Sequence, residues 1–157
     1  MTFCTFALAA SLVVTQPIAG QVNEAQPASV AHAPISNEAQ FADLVDRARG
    51  LKQLVDGWIA AGEAANGQFH RQAAFTAFKS EAEELSRRDM QGHLTLKERG
   101  TDGDLTCILR GISEDLPKKV EAVEQADNEA SRKVALEELA YLLNDNVEVI
   151  MAPPVMP

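Results

Sequence analysis

Histidine nitrogen and the sulfur of cysteine and methionine are the groups in this chain that could ligate an iron or a soft metal, and they are few. The 157 residues hold three histidines, two cysteines and four methionines. Met90 and His93 stand three residues apart, and Cys107 follows. They are the candidate ligands: Met90 and His93 for a haem held without covalent attachment, His93 and Cys107 for a metal ion. His70 precedes Met90 by 20 residues, about 30 Å along a helix, too far to share a site with it unaided. No Cys-x-x-Cys, Cys-x-x-Cys-His, His-Glu-x-x-His or Gly-x-Ser-x-Gly occurs, so the sequence carries none of the common enzyme motifs and cannot attach a c-type haem. Gly100-Thr101-Asp102-Gly103 lacks the spacing and the lysine of a phosphate loop. Asp102-Gly103-Asp104 lacks the further carboxylates of a calcium loop and reads as a helix cap.

The elements that must position these groups are helices. Phe41, Leu44, Ala48, Leu51, Val55, Trp58 and Gly62 step by three and four, the period of an amphipathic helix. This first helix is expected over about 37 to 66, capped by Asn37 with Gln40 three residues on and closed at Asn66-Gly67. A second helix is expected from Gln68 to Arg88, carried by Phe75, Phe78, Ala82 and Leu85. Asp89 to Gly103 contains three glycines and no clear period, and reads as a long loop holding Met90 and an exposed His93. The pattern returns with Leu105, Ile108, Leu109, Ile112 and Leu116. Pro117 follows, and a proline inside a helix costs about 3 kcal/mol. A break or kink is therefore expected near Gly111 to Asp115, with Ser113 or Asp115 capping a new segment. After Ala126-Asp127-Asn128 a last helix carries Leu136, Ala140, Leu143, Val147 and Ile150 and ends at Pro153-Pro154. Trp58 belongs to the core stripe, and Glu81, Glu83, Glu84, Glu137 and Glu138 lie on solvated faces. The fold class is all-α, an antiparallel bundle of about four helices with the third kinked or broken near Pro117.

Phe3 to Val14 is an apolar run of twelve residues ending before Gln16-Pro17. That is the length of a signal-peptide core and shorter than the roughly 18 residues of a membrane span. Small residues at Ile18-Ala19-Gly20 place cleavage before Gln21, although no Lys or Arg precedes the run. Residues 1–20 are thus expected as a signal peptide, 21–36 as a flexible Pro-, Gln- and Ala-containing leader, and 37–157 as a single bundle domain. The expected location is periplasmic or secreted, with no transmembrane segment after signal removal. Cys107 is then the one cysteine left, expected to be buried like a small hydrophobe. Were it exposed, it could link two copies into a homo-oligomer.

The net charge is -9. Residues 101–157 hold 12 acids and 5 bases, a net of -7, against -2 for residues 21–100. Such a balance repels phosphate backbones and disfavours nucleic acid as a partner unless the few basic residues cluster, so none is expected.

Glu114 to Val147, through Val120, Val123, Glu124, Ala126-Asp127-Asn128 and Lys133-Val134-Ala135-Leu136, resembles the first helical hairpin of the soluble periplasmic b-type cytochromes. The resemblance implies an exported four-helix bundle and a haem held by a Met early in that hairpin and a His on the last helix. Here the Met position falls at about Ser113, and no His lies beyond His93, so neither ligand carries over. The sequence therefore points to an exported, acidic bundle with a non-enzymatic binding or accessory role. It would engage a protein partner through a groove between helices or an apolar edge near Leu94 and Leu96. The alternative is a haem- or metal-carrying bundle using Met90, His93 and Cys107.

Overall fold

Residues 34–154, Asp102 apart, are described by the computed structural model, and they form four long helices: α1 (Ala39–Ala60), α2 (Ala73–Arg99), α3 (Gly103–Gln125) and α4 (Glu129–Met151). No strand occurs among the described residues. The expected signal peptide, most of the leader, His32 and Asp102 lie outside them. Each helix packs on the next in the chain and α1 also packs on α4, which closes an antiparallel four-helix bundle. The stripes read from the sequence are its core: Phe41, Leu44, Ala48, Leu51 and Val55 from α1 face Phe75, Phe78 and Leu85 from α2, Leu109 and Leu116 from α3, and Leu136, Leu139 and Leu143 from α4. None of the described helices is long and apolar enough to cross a membrane.

The helix boundaries differ from the sequence reading where local signals compete with packing. α1 begins after Glu38, which makes no side-chain cap, so Asn37 does not cap it. Asn37 instead ends a 3-10 turn, Ile35–Asn37, whose Ile35 is buried, so packing starts just before the expected domain edge. α1 also stops at Ala60, not near residue 66, because Gly62 takes the left-handed conformation (φ 71°). Two further 3-10 turns, Glu63–Ala65 and Phe69–Arg71, then lead into α2.

Of the expected loop over residues 89–103, residues 89–99 are instead the last part of α2, which runs to Arg99, and the connection to α3 begins at Gly100. Its buried positions are Phe75, Phe78, Ala82, Leu85, Asp89, Gly92, His93 and Leu96, so the three-and-four spacing never stops. It was hidden because polar residues and a glycine occupy core positions. Gly92 sits where α2 approaches its neighbours closely: a Cβ there would meet side-chain carbons of Leu109 at 3.2 Å, Phe41 at 3.3 Å and Leu44 at 3.4 Å. The helix ends at Gly100, with φ 66° and its N–H bonded to the Leu96 carbonyl.

α3 runs unbroken through Pro117, so Ser113 and Asp115 do not cap a new segment. A proline at this position lacks the N–H that would have bonded the Ser113 carbonyl four residues earlier. Ser86 of α2 supplies the missing donor, its hydroxyl donating to that carbonyl at 2.7 Å. The helix is continuous because a neighbouring helix satisfies the group that proline strands.

One end of the bundle is held by aromatic rings and one arginine. Trp58 lies edge-on to Phe69 and Phe78, with both ring centroids 5.0 Å away, and Phe69 is edge-on to Phe75 at 5.2 Å. Arg132, buried on α4, donates to the Ala64 carbonyl at 2.6 Å and the Ala126 carbonyl at 2.9 Å, tying both end connections to one side chain. Asn128 caps α4, accepting from the Ser131 N–H at 2.9 Å while the Ser131 hydroxyl accepts from the Asn128 N–H. Ion pairs rim the seams between successive helices: Arg88–Asp43 at 3.0 Å across α1 and α2, Lys79–Glu124 at 2.7 Å across α2 and α3, and Lys119–Glu138 at 2.7 Å across α3 and α4. Being largely exposed, they add little stability each.

Ser86→Ala leaves the Ser113 carbonyl unsatisfied and is expected to cost about 1 kcal/mol, a few degrees in thermal midpoint. In a Pro117→Ala background the restored N–H takes over that carbonyl. Chemical denaturation of the four variants should therefore give a coupling close to the whole Ser86→Ala effect, and independent, additive costs would contradict the assignment.

Candidate functional site

Asp89 and His93, with Gly92 between them, are the core positions of α2 where its apolar stripe is interrupted. Asp89 is 0% exposed, and so is Asn146 of α4. The Asn146 amide donates to Asp89 Oδ2 at 2.7 Å, joining two helices that lie across the bundle from each other. Asp89 Oδ1 and Asn146 Oδ1 are buried without hydrogen-bond partners. Among the described residues no cation pairs with the carboxylate, and burial pushes the Asp89 pKa up to about 8, opposed by the hydrogen bond from Asn146. At neutral pH the side chain is thus mainly a neutral acid. Slippage of α2 against α4 would strand both groups in hydrocarbon, so the pair specifies the register of the two helices.

His93 follows one turn later. It is buried, with Nδ1 2.7 Å from the Thr106 carbonyl of α3. A carbonyl only accepts, so Nδ1 carries the hydrogen, and in the neutral ring the lone pair sits on Nε2. The expectation of a solvent-facing loop histidine is therefore corrected: continuation of α2 carries His93 into the interior. Met90 lies on the same helix, half-buried. Cys107 is exposed, not buried as expected. The core positions at the start of α3 are Leu105, Thr106 and Leu109, which leave residue 107 on the outer face. Among the described residues no three or more His, Cys, Asp and Glu side chains gather in a way that could hold a metal ion. His70 is apart from these groups, in the Phe69–Arg71 turn at the aromatic end, with a buried Nδ1 that has no partner.

Sequence reasoning missed Asp89, Asn146 and Arg132. Asp89 was assigned to a loop, and Asn146 and Arg132 sit among the polar residues of α4. The available signal was positional: 89 is four residues after Leu85, and 132 and 146 lie four before Leu136 and four before Ile150.

A second set of residues lies on the outside. Of the apolar edge expected near residues 94 and 96, Leu94 is exposed, but Leu96 is wholly buried, since helix geometry turns positions two apart to different faces. The larger exposed apolar surface is on α4, where Val134 (52% exposed) and Tyr141 (68%) lie seven residues, two turns, apart. They line two shallow depressions along the α3/α4 seam, about 630 Å³ and about 470 Å³, both bordered by Glu138. Ala122 of α3 and Ala130 of α4 line the first, and Lys119 of α3 and half-buried Leu142 of α4 line the second. Their acids are Asp127, Glu137, Glu138 and Asp145, and their one base is Lys119, already paired with Glu138. Partial burial and the neighbouring Glu148 raise the Asp145 pKa above its ordinary value.

The buried acid makes a signed prediction. The folded chain keeps the Asp89 proton up to about pH 8, while the unfolded chain loses it near the ordinary carboxylate value of 3.8. The stabilising contribution of this group is complete below the lower value and is lost as pH rises through the upper one, at up to about 1.4 kcal/mol per pH unit. Asp89→Asn removes the titration, so the stability difference between variant and wild type, measured by denaturant unfolding, should shift in the variant's favour from pH 4 to pH 8. A difference independent of pH would overturn the assignment.

Comparison with known proteins finds no matching family model, no similar curated protein and no similar solved structure.

Proposed function

We propose that this protein is an exported, non-enzymatic binding or accessory module that meets a protein partner through the outer α3/α4 face. The observation that carries the reading is the exposure of Val134 and Tyr141 two turns apart on one helix face, each lining one of two shallow depressions that share Glu138. Tyrosine offers a large contact area with a polar tip, at the cost of ordering only two side-chain torsions. The groups best suited to chemistry support the same reading from the other side: Asp89 and His93 are buried and already engaged with Asn146 and Thr106. Export is supported by the apolar run from Phe3 to Val14, which lies outside the described residues.

Two measurements test the proposal. Protein recovered from outside the cytoplasm should begin near residue 21, and a chain retained inside the cell with residues 1–20 intact would remove the export part. A photoreactive side chain at position 134 or 141 should give a discrete heavier product in the producing cells. The same group at Leu54, 50% exposed on α1, should give none. Equal products from both faces, or none from either, would overturn the binding surface.

A further inference from the structure

The trough along α3 and α4 is apolar at its exposed side chains and acidic at its border, and the two properties together select an occupant. From Ala130 to Asp145 its two depressions, which meet at Glu138, together follow α4 for about 22 Å, the length of about four helical turns. Its apolar contacts are Val134, Tyr141 and half-buried Leu142. Ala122 and Ala130 present only methyl groups, so a second backbone can lie close over the first depression.

The charges are unbalanced. Glu138 is offset by Lys119 at 2.7 Å, and Glu137 has Lys133 only at 3.9 Å. Asp127 and Asp145 have no basic partner among the described residues, and Asp145 further feels the charge of Glu148. A cation brought beside Asp145 would relieve both its loss of solvent and that repulsion. A second copy of the chain is a poor occupant, since each copy carries -9 and would set acidic border against acidic border.

We infer that the α3/α4 trough receives a cationic amphipathic helix of a partner protein, which lays its apolar side chains on Val134 and Tyr141 and its Lys and Arg side chains beside Asp127, Glu137 and Asp145. This rests on the binding-module reading above and adds the chemistry of the partner. An amphipathic helix in a groove needs anchors about two turns apart, which Val134 and Tyr141 match. The acidic border accelerates encounter and excludes anionic competitors.

The test uses the full chain and two dye-labelled peptides of 18 residues that share one leucine pattern, the first with lysine and the second with glutamate at every polar position. Fluorescence anisotropy should show the lysine peptide bound at least about tenfold more tightly than the glutamate peptide, and more weakly at 300 mM salt than at 50 mM as exposed charges are screened. The Val134→Ser/Tyr141→Ser variant should weaken it about tenfold, and Asp127→Asn/Asp145→Asn at least about threefold. Leu54→Ser, on another face, should leave affinity unchanged, and circular dichroism should show all variants as helical as wild type. Equal binding of both peptides, or lysine-peptide binding that the trough variants do not weaken or that Leu54→Ser weakens as much, would overturn the inference. So would a dimer in sedimentation that Tyr141→Ser dissociates, because the trough would then be filled by a second copy. If cross-linking from position 141 succeeds while the peptides fail, only the cationic occupant falls; if cross-linking also fails, the binding-module reading falls with it.

Discussion

A helix can turn an interrupted apolar stripe inward only if its polar side chains find partners, and this bundle gives each at least one hydrogen bond at a few named places, leaving Asp89 Oδ1 and Asn146 Oδ1 unbonded. Asp89 takes the Asn146 amide, His93 gives its Nδ1 hydrogen to the Thr106 carbonyl, and Ser86 fills the acceptor that Pro117 leaves behind at Ser113. Each bond leads from α2 to a different part of the bundle, two to α3 and one to α4. Without them the last third of α2 would carry an unsatisfied acid and imidazole into hydrocarbon, at several kcal/mol each, and would not pack. With them, Gly92 can bring α2 against Phe41, Leu44 and Leu109, and the core closes at the end away from the aromatic rings.

The two ends are held by different means. At one, Trp58, Phe69, Phe75 and Phe78 stack edge to face while Arg132 gathers the Ala64 and Ala126 carbonyls, so apolar area and charge-assisted hydrogen bonds fix both connections. At the other, a neutral acid and an amide set the register. The second device depends on the protonation of Asp89, which ties the packing at that end to pH. The inside is also where α2 keeps His93 and Asp89. On α4 the division is direct: Leu136, Leu139, Leu143, Asn146 and Ile150 turn inward, while Val134, Glu137, Glu138 and Tyr141 remain in contact with solvent.

Which side chains could meet a partner was only partly legible. Leu94 and Leu96 drew notice because they stood in a stretch read as loop, where neither is required by a core. Once α2 continues through them, Leu96 becomes a core residue and Leu94 an isolated exposed one, which carries little meaning by itself. Val134 and Tyr141 drew no notice, because in one dimension they alternate with the core residues of a strongly patterned helix. Met90, His93 and Cys107 were grouped by their chemistry and closeness in sequence. Helix geometry gives them three different exposures: half-buried, buried and exposed.

The amino-acid sequence by itself determined the all-α fold class, which residues form most of the core, where α4 begins and ends, and that its second half is the more acidic. These properties follow from periodicity and composition, which are local and additive. Only the tertiary structure decided that residues 89–99 continue α2, that α3 survives Pro117, that Asn146 and Arg132 belong inside, and that the α3/α4 seam presents an apolar trough with an acidic border. Each of those outcomes depends on a partner supplied from a distant part of the chain: Asn146 for Asp89, Ser86 for Ser113, Ala64 for Arg132, Lys119 for Glu138. A buried polar group is a fault when judged against its sequence neighbours and a specification when its partner arrives from another helix, and no local pattern carries that information.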